Sequence, residues 1–81
     1  MGKLRTLSGG DLLRIFSLFG FRSLTQKGSH VKLRRVLPDG RRQTLTVAMH
    51  AEMDKGTLRA IFTQALRYIP EKDLRYHFYS E

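Results

Sequence analysis

Cysteine is absent from the chain, and so is tryptophan. Without thiols there is no disulfide framework, no cysteine-ligated zinc and no thiolate nucleophile. No apolar run approaches the roughly 20 residues needed to cross a bilayer, and no apolar stretch after the N-terminus has the form of a secretory signal. Carboxylates are scarce too: residues 1–50 contain only Asp11 and Asp39, far apart. That scarcity argues against a carboxylate-held metal centre for phosphodiester chemistry. It also leaves no acid to orient a Ser-His-Asp triad. Glu52 and Asp54 lie close together, with no further carboxylate near them in sequence.

What is present is positive charge. Fifteen Lys and Arg oppose seven Asp and Glu, for a net charge of +8. The first 50 residues carry ten bases and two acids, whereas residues 51–81 carry five of each, so the whole excess lies in the first part. Ten of the fifteen bases are arginine, whose planar fork suits phosphate. A polyanionic partner, with nucleic acid first among them, follows from this distribution. At 81 residues and 41% hydrophobic content the chain is one small folded domain, expected in the cytoplasm.

The hydrophobic pattern changes period along the chain. Ser8 with Asp11 forms a short version of the capping box, and Leu7 and Leu12 fall at the staple positions. Leu12, Leu13, Ile15, Phe16 and Phe19 follow at helical spacing, and Gly20 supplies the stop. Strands are predicted at Phe21–Lys27, Ser29–Leu37 and Gln43–His50, separated by Gly28 and by the turn Pro38-Asp39-Gly40. A second helix is predicted from Asp54 or Thr57 to Ile69, its stripe being Leu58, Ile61, Phe62, Ala65, Leu66 and Ile69. Pro70 ends it, and a short helical turn is expected over about 70–79. Tyr68, Tyr76 and Tyr79 read as packing aromatics. The order is α-β-β-β-α: an α+β fold with a three-stranded antiparallel sheet and two helices on one face.

Such a sheet leaves one face uncovered. Val31, Leu33, Leu45, Val47 and Met49 form the apolar face that takes the helices. The uncovered face then carries His30, Lys32 and Arg34 beside Thr44, Thr46 and His50. Pairing Val31 with Met49 and Leu33 with Val47 sets His30 opposite His50. Positive neighbours disfavour a further charge on imidazole, so a histidine on this face can accept a proton. RNA brings its own nucleophile, the ribose 2′-hydroxyl, and needs only a base and a positive cradle; DNA lacks that hydroxyl. Gly56-Thr57 at a helix start offers backbone N–H groups to phosphate, although such residues commonly only cap.

An ordered set of short motifs points further. Leu7-Ser8-Gly9, Gly20-Phe21, Gln26-Lys27-Gly28-Ser29-His30, Pro38-Asp39-Gly40-Arg41 and Lys55-Gly56-Thr57-Leu58-Arg59 resemble the HicA (YcfA-like) toxin family over about residues 7–69. The resemblance implies a double-stranded-RNA-binding-like fold over a single domain, 1–81, and a metal-independent endoribonuclease acting on mRNA without cofactors. It implies a HicB-type antitoxin that blocks the active face. The family's catalytic histidine falls on His30, as general base, with His50 as a second candidate. Lys27, Ser29, Lys32, Arg34, Lys55, Gly56, Thr57 and Arg59 are the residues expected to bind RNA. Two positions depart from the family pattern: Val31 where a second His often follows the first, and Ala48 where Pro often precedes the later His. The competing reading is a non-catalytic RNA-binding module on the same fold, with a DNA-binding partner of a transcription complex as a third.

Overall fold

A computed structural model describes residues 2–80, so Met1 and Glu81, the ends of the expected domain, lie outside the described residues. The elements run β1 (Lys3–Leu4), α1 (Gly9–Leu18), β2 (Arg22–Lys27), β3 (His30–Val36), β4 (Arg42–Ala48), α2 (Lys55–Ala65), α3 (Glu71–Phe78) and β5 (Tyr79–Ser80). The main sheet is three-stranded and antiparallel in the order β2-β3-β4. With the helices on one face it is α+β, of the double-stranded-RNA-binding-like type.

The first helix begins where its cap dictates. Ser8 Oγ accepts from the Asp11 N–H at 3.0 Å while Asp11 Oδ2 accepts from the Ser8 N–H at 2.9 Å. Two of the orphan donors of the first turn are thereby met. Gly9 is required by proximity: a Cβ there would stand 2.7 Å from Met49 Cα and 2.9 Å from the Ala48 carbonyl. The absent side chain lets α1 start directly on the end of β4, an approach sealed by the Gly9 N–H to the His50 carbonyl at 2.8 Å. At the far end Gly20 takes φ +90°, which returns the chain to the sheet.

Apolar side chains from every layer meet between sheet and helices. Leu12 and Phe16 of α1, Val31 and Leu33 of β3, Leu45 and Val47 of β4, and Leu58 of α2 are buried. Phe16 packs at 6.2 Å from Phe21 and 6.0 Å from Phe78, and Phe62 lies 5.2 Å from Phe78. The second helix is capped by Asp54 and ends at Ala65, earlier than the predicted Ile69. Pro70 disfavours α geometry in the residue before it, and the chain tightens instead through Tyr68 N–H to Ala65 O at 3.0 Å. After Pro70 the expected short turn is an eight-residue helix, α3, which buries Leu74 and Phe78 completely. Its last residues lead into β5, which pairs with β1 and ties the two ends of the chain together. Tyr68 and Tyr79 pack against the core, but Tyr76 is 74% exposed, contrary to the packing role expected of it.

Two features of the sheet correct the expected register. Across β3 and β4 the partners are His30 with Ala48, Val31 with Val47 and Leu33 with Leu45. His30 therefore does not face His50. The link from Leu37 to Arg41 closes on itself through Leu37 N–H to Arg41 O at 2.8 Å, centring the turn on Asp39 and shifting the pairing by two residues. Because a two-residue shift preserves facing, every β3 and β4 side chain stays on its predicted face. Between β2 and β3 the register slips by one residue between Ser23 and Thr25, leaving Leu24 in a bulge.

Arg35 occupies the helix side of the sheet. Its guanidinium donates to Gln43 Oε1, to the Phe19 carbonyl at 2.9 Å and to the Tyr68 carbonyl at 3.0 Å, and lies 4.7 Å from the centre of the Phe21 ring. It joins the ends of α1 and α2 to β3 and β4. The outer edge of β4 is partly closed as well: Gln64 of α2 accepts from the Thr46 N–H at 3.0 Å and donates to the Thr46 carbonyl at 3.2 Å. A side-chain amide thus occupies backbone groups that would otherwise invite another strand.

Candidate functional site

The face of the sheet turned away from the helices is organised in rows. Lys27, His30 and Ala48 form the first, Thr25, Lys32 and Thr46 the second, Arg22, Arg34 and Thr44 the third, and Val36 with Arg42 the last. Opposed residues have Cβ atoms about 4.5–5.5 Å apart, and successive rows are about 6.6 Å apart along a strand. Five cations and one imidazole share this surface, and none of its strand positions holds a carboxylate.

The position of His30 follows from the hairpin. Gly28 takes φ +56° at the first position of the two-residue link, as a type II′ hairpin turn requires. The Gln26 side chain donates to the Gly28 carbonyl at 3.0 Å, and the Ser29 carbonyl accepts from the Met49 N–H at 2.6 Å. The link is thus held to β2 on one side and to the end of β4 on the other. His30 opens β3 directly after it, exposed, with Lys27 across the ladder and Lys32 and Arg34 further along its own strand. An accessible imidazole can take up or deliver a proton, and the surrounding cations attract an anion such as a phosphodiester.

The described acids are placed elsewhere. Asp11 pairs with Arg14 at the start of α1, Asp39 with Arg41 in the turn at 2.7 Å, and Glu71 with Arg75 on α3 at 3.6 Å. Hydrogen bonds from Ser8 hold the Asp11 carboxyl below its usual range, and those from Thr57 do the same for Asp54. Among the described residues, no three His, Asp or Glu side chains gather in a way that could hold a metal ion. No helix among the described residues is long and apolar enough to cross a membrane.

Other residues of the expected site lie outside the three strands. His50 lies beyond β4, exposed, with its carbonyl committed to the Gly9 N–H. Lys55, Gly56, Thr57 and Arg59 belong to the first turns of α2, in the helix layer. There the Asp54 carboxylate accepts from the Thr57 N–H at 3.0 Å, so an anion of the chain itself occupies the position offered to phosphate. His77 packs edge-on against Phe19 at 5.6 Å and Tyr76 at 5.1 Å, a packing role. Conversely, Arg22 and Arg42 stand on the outer face without having been singled out in the sequence. Strand periodicity alone places Arg42 there once the Leu37–Arg41 link is known. Arg22 has no such signal, because the bulge at Leu24 contains no glycine to announce it.

A search of curated proteins and of solved structures returns no match. A family model described as the HicA toxin of bacterial toxin-antitoxin matches residues 9–66. That span runs from the first residue of α1 to just past the end of α2, and includes the whole three-stranded sheet and His30. With most of its length matched, the chain belongs to the HicA toxin family of bacterial toxin–antitoxin systems.

Proposed function

We propose that this toxin is an endoribonuclease that cleaves mRNA without a metal ion, using His30 as general base. The observation that carries this reading is the exposure of His30 on a carboxylate-free face, with Lys27 directly across the ladder and Lys32 and Arg34 on its own strand. RNA supplies the nucleophile. His30 takes the proton of the ribose 2′-hydroxyl, the 2′-oxygen bonds to phosphorus, and the P–O5′ bond breaks. The 5′-oxygen leaves with a proton, from solvent or from His50, and the products are a 2′,3′-cyclic phosphate and a 5′-hydroxyl. Lys27 and Lys32 stabilise the charge that builds on the phosphoryl oxygens, and Arg34, further along the same face, extends the cationic surface that binds the RNA strand. Ser29, in the hairpin link beside His30, belongs to the same RNA-binding surface.

Membership of a toxin–antitoxin family implies an antitoxin partner. A HicB-type antitoxin placing acidic groups over the His30 face would block substrate and neutralise the cations together. An mRNA substrate places the reaction in the cytoplasm.

The experiment is incubation of purified protein with labelled single-stranded RNA in EDTA, comparing wild type with His30→Ala. Cleavage by wild type, with cyclic-phosphate ends, and its loss in a variant that still retains RNA is the expected result. Retention of RNA by wild type without cleavage would instead mark a passive binding module, and continued cutting by His30→Ala would remove the assigned base.

A further inference from the structure

The third row of the outer face contains something that a simple hairpin does not produce. From Lys27 back to Thr25 the pairing of β2 with β3 runs in step, and then it slips. With unbroken alternation Ser23 would take the outer position and Arg22 would turn toward the helices. The bulge at Leu24 reverses this and sets Arg22 directly opposite Arg34, on the same face as His30. Re-aiming a side chain is a recognised consequence of a bulge.

Considered alone, this arrangement works against the fold. Like charges directly opposed across a ladder are destabilising. The bulge gives up regular pairing and leaves Leu24 43% exposed. Arg34 Nε is shut off from solvent and has no hydrogen-bond partner among the described residues, whereas buried polar groups are nearly always paired. An anion seated between the two guanidinium groups offsets the like-charge cost. It separates the like charges electrostatically, and it meets the planar donor forks that arginine offers to phosphate oxygens.

We propose that the Arg22–Arg34 row is a second phosphate-binding site for the RNA strand, about 13 Å along the sheet from His30. It takes a phosphate that is not cut, and so fixes the direction in which the strand crosses the face. This rests on the reading of the face as an RNA-cleaving surface, and it adds Arg22 to the residues that bind the substrate.

The test is fluorescence anisotropy in a His30→Ala background, which prevents turnover, with two RNA probes. A dinucleotide has a single phosphodiester and cannot occupy both sites; a single strand of about a dozen nucleotides can. Arg22→Gln is expected to weaken the longer strand about tenfold and to make its salt dependence shallower by about 0.7 in log–log slope. The dinucleotide should bind as before, Arg22→Lys should recover part of the loss, and the melting temperature should not fall. If Arg22→Gln leaves the longer strand unaffected while Lys27→Gln weakens it, the second site is wrong and the nuclease reading stands. Equal weakening of both probes would assign Arg22 to the scissile phosphate and overturn the inference. Failure of the His30→Ala protein, with every cation in place, to retain either RNA would remove both.

Discussion

Arg34 and Arg35 are chain neighbours with opposite tasks, and replacing each by methionine separates those tasks. Methionine keeps an unbranched stem of similar reach and deletes the guanidinium. At position 35 the deletion strands the Phe19 and Tyr68 carbonyls and the Gln43 side-chain oxygen, and it removes the cation over Phe21. The Phe19 carbonyl belongs to the last turn of α1, where no intrahelical donor is available. At this part-buried site each charge-assisted bond contributes about half its fully buried value, so the summed loss is about 2–4 kcal/mol. For a domain of this size that corresponds to a fall in melting temperature of about 10–25 °C. At position 34 the deletion removes an unpartnered Nε and one member of a like-charged pair. Its effect on stability should stay within about 0.5 kcal/mol, in either direction. Urea unfolding followed by far-UV circular dichroism measures the stability of both variants, and RNA anisotropy on the same samples measures their RNA binding. Arg35→Met should unfold early, and Arg34→Met should melt like wild type while binding RNA more weakly. An Arg35→Met protein that unfolds at the wild-type urea concentration would refute the assignment of Arg35 as the tie between sheet and helices.

Three further outcomes are expected. Because Ala48 and not His50 stands across from His30, His50→Ala should lose less than about tenfold in cleavage rate, whereas His30→Ala should lose about 10²–10⁴-fold; single-turnover assays on one RNA decide this. Gly9→Ala drives a Cβ to 2.7 Å from Met49 Cα and should cost about 1–3 kcal/mol, while Gly10→Ala, with only Ser8 Oγ within reach at 3.7 Å, should stabilise by up to about 1 kcal/mol; thermal melts of the two variants should therefore move in opposite directions. Asp11 and Asp54 have folded-state pKa values below the usual 3.8, so their contribution is fully present above that value and is lost as pH falls through the depressed ones; acid titration of Asp11→Asn and Asp54→Asn should show less additional destabilisation below pH 3.8 than wild type shows.

The parts of this molecule that were legible from residues are those governed by local chemistry. The capping box at Ser8 and Asp11, the stop at Gly20, the Asp39-Gly40 turn and the period-2 pattern of residues 30–36 each act through near neighbours, and each gives its element. Facing survived even where register did not, because hydrophobic alternation specifies the face and tolerates an even slip. What escaped was set by contacts distant in sequence. The helical turn expected over about 70–79 is there, but its full eight-residue length was not legible: Leu74 and Phe78 are too few for a pattern, and Phe78 is held by Phe16 and Phe62. The pairing of β1 with β5 joins residues at opposite ends of the chain. The Leu24 bulge contains no glycine or proline, so nothing local announced that Arg22 would change sides.

The candidate site therefore depends on a sorting of cations that composition alone cannot express. Within β3, even positions carry His30, Lys32 and Arg34 to the open face, while the odd positions Val31, Leu33 and Arg35 serve the helix layer. One arginine on the inner side holds the helices to the sheet, and its neighbours on the outer side are left without acids. Concentrating five cations on an uncompensated surface raises the energy of the free chain through self-repulsion. The described acids that form ion pairs are spent at helix starts and in the Asp39 turn, where they steady the scaffold and leave the outer face positive. An anionic occupant lowers that energy, so on the proposed reading an RNA strand and an acidic antitoxin surface would compete for the same cations. On that reading, inhibition would require no distortion of His30, only a partner that satisfies the cations first.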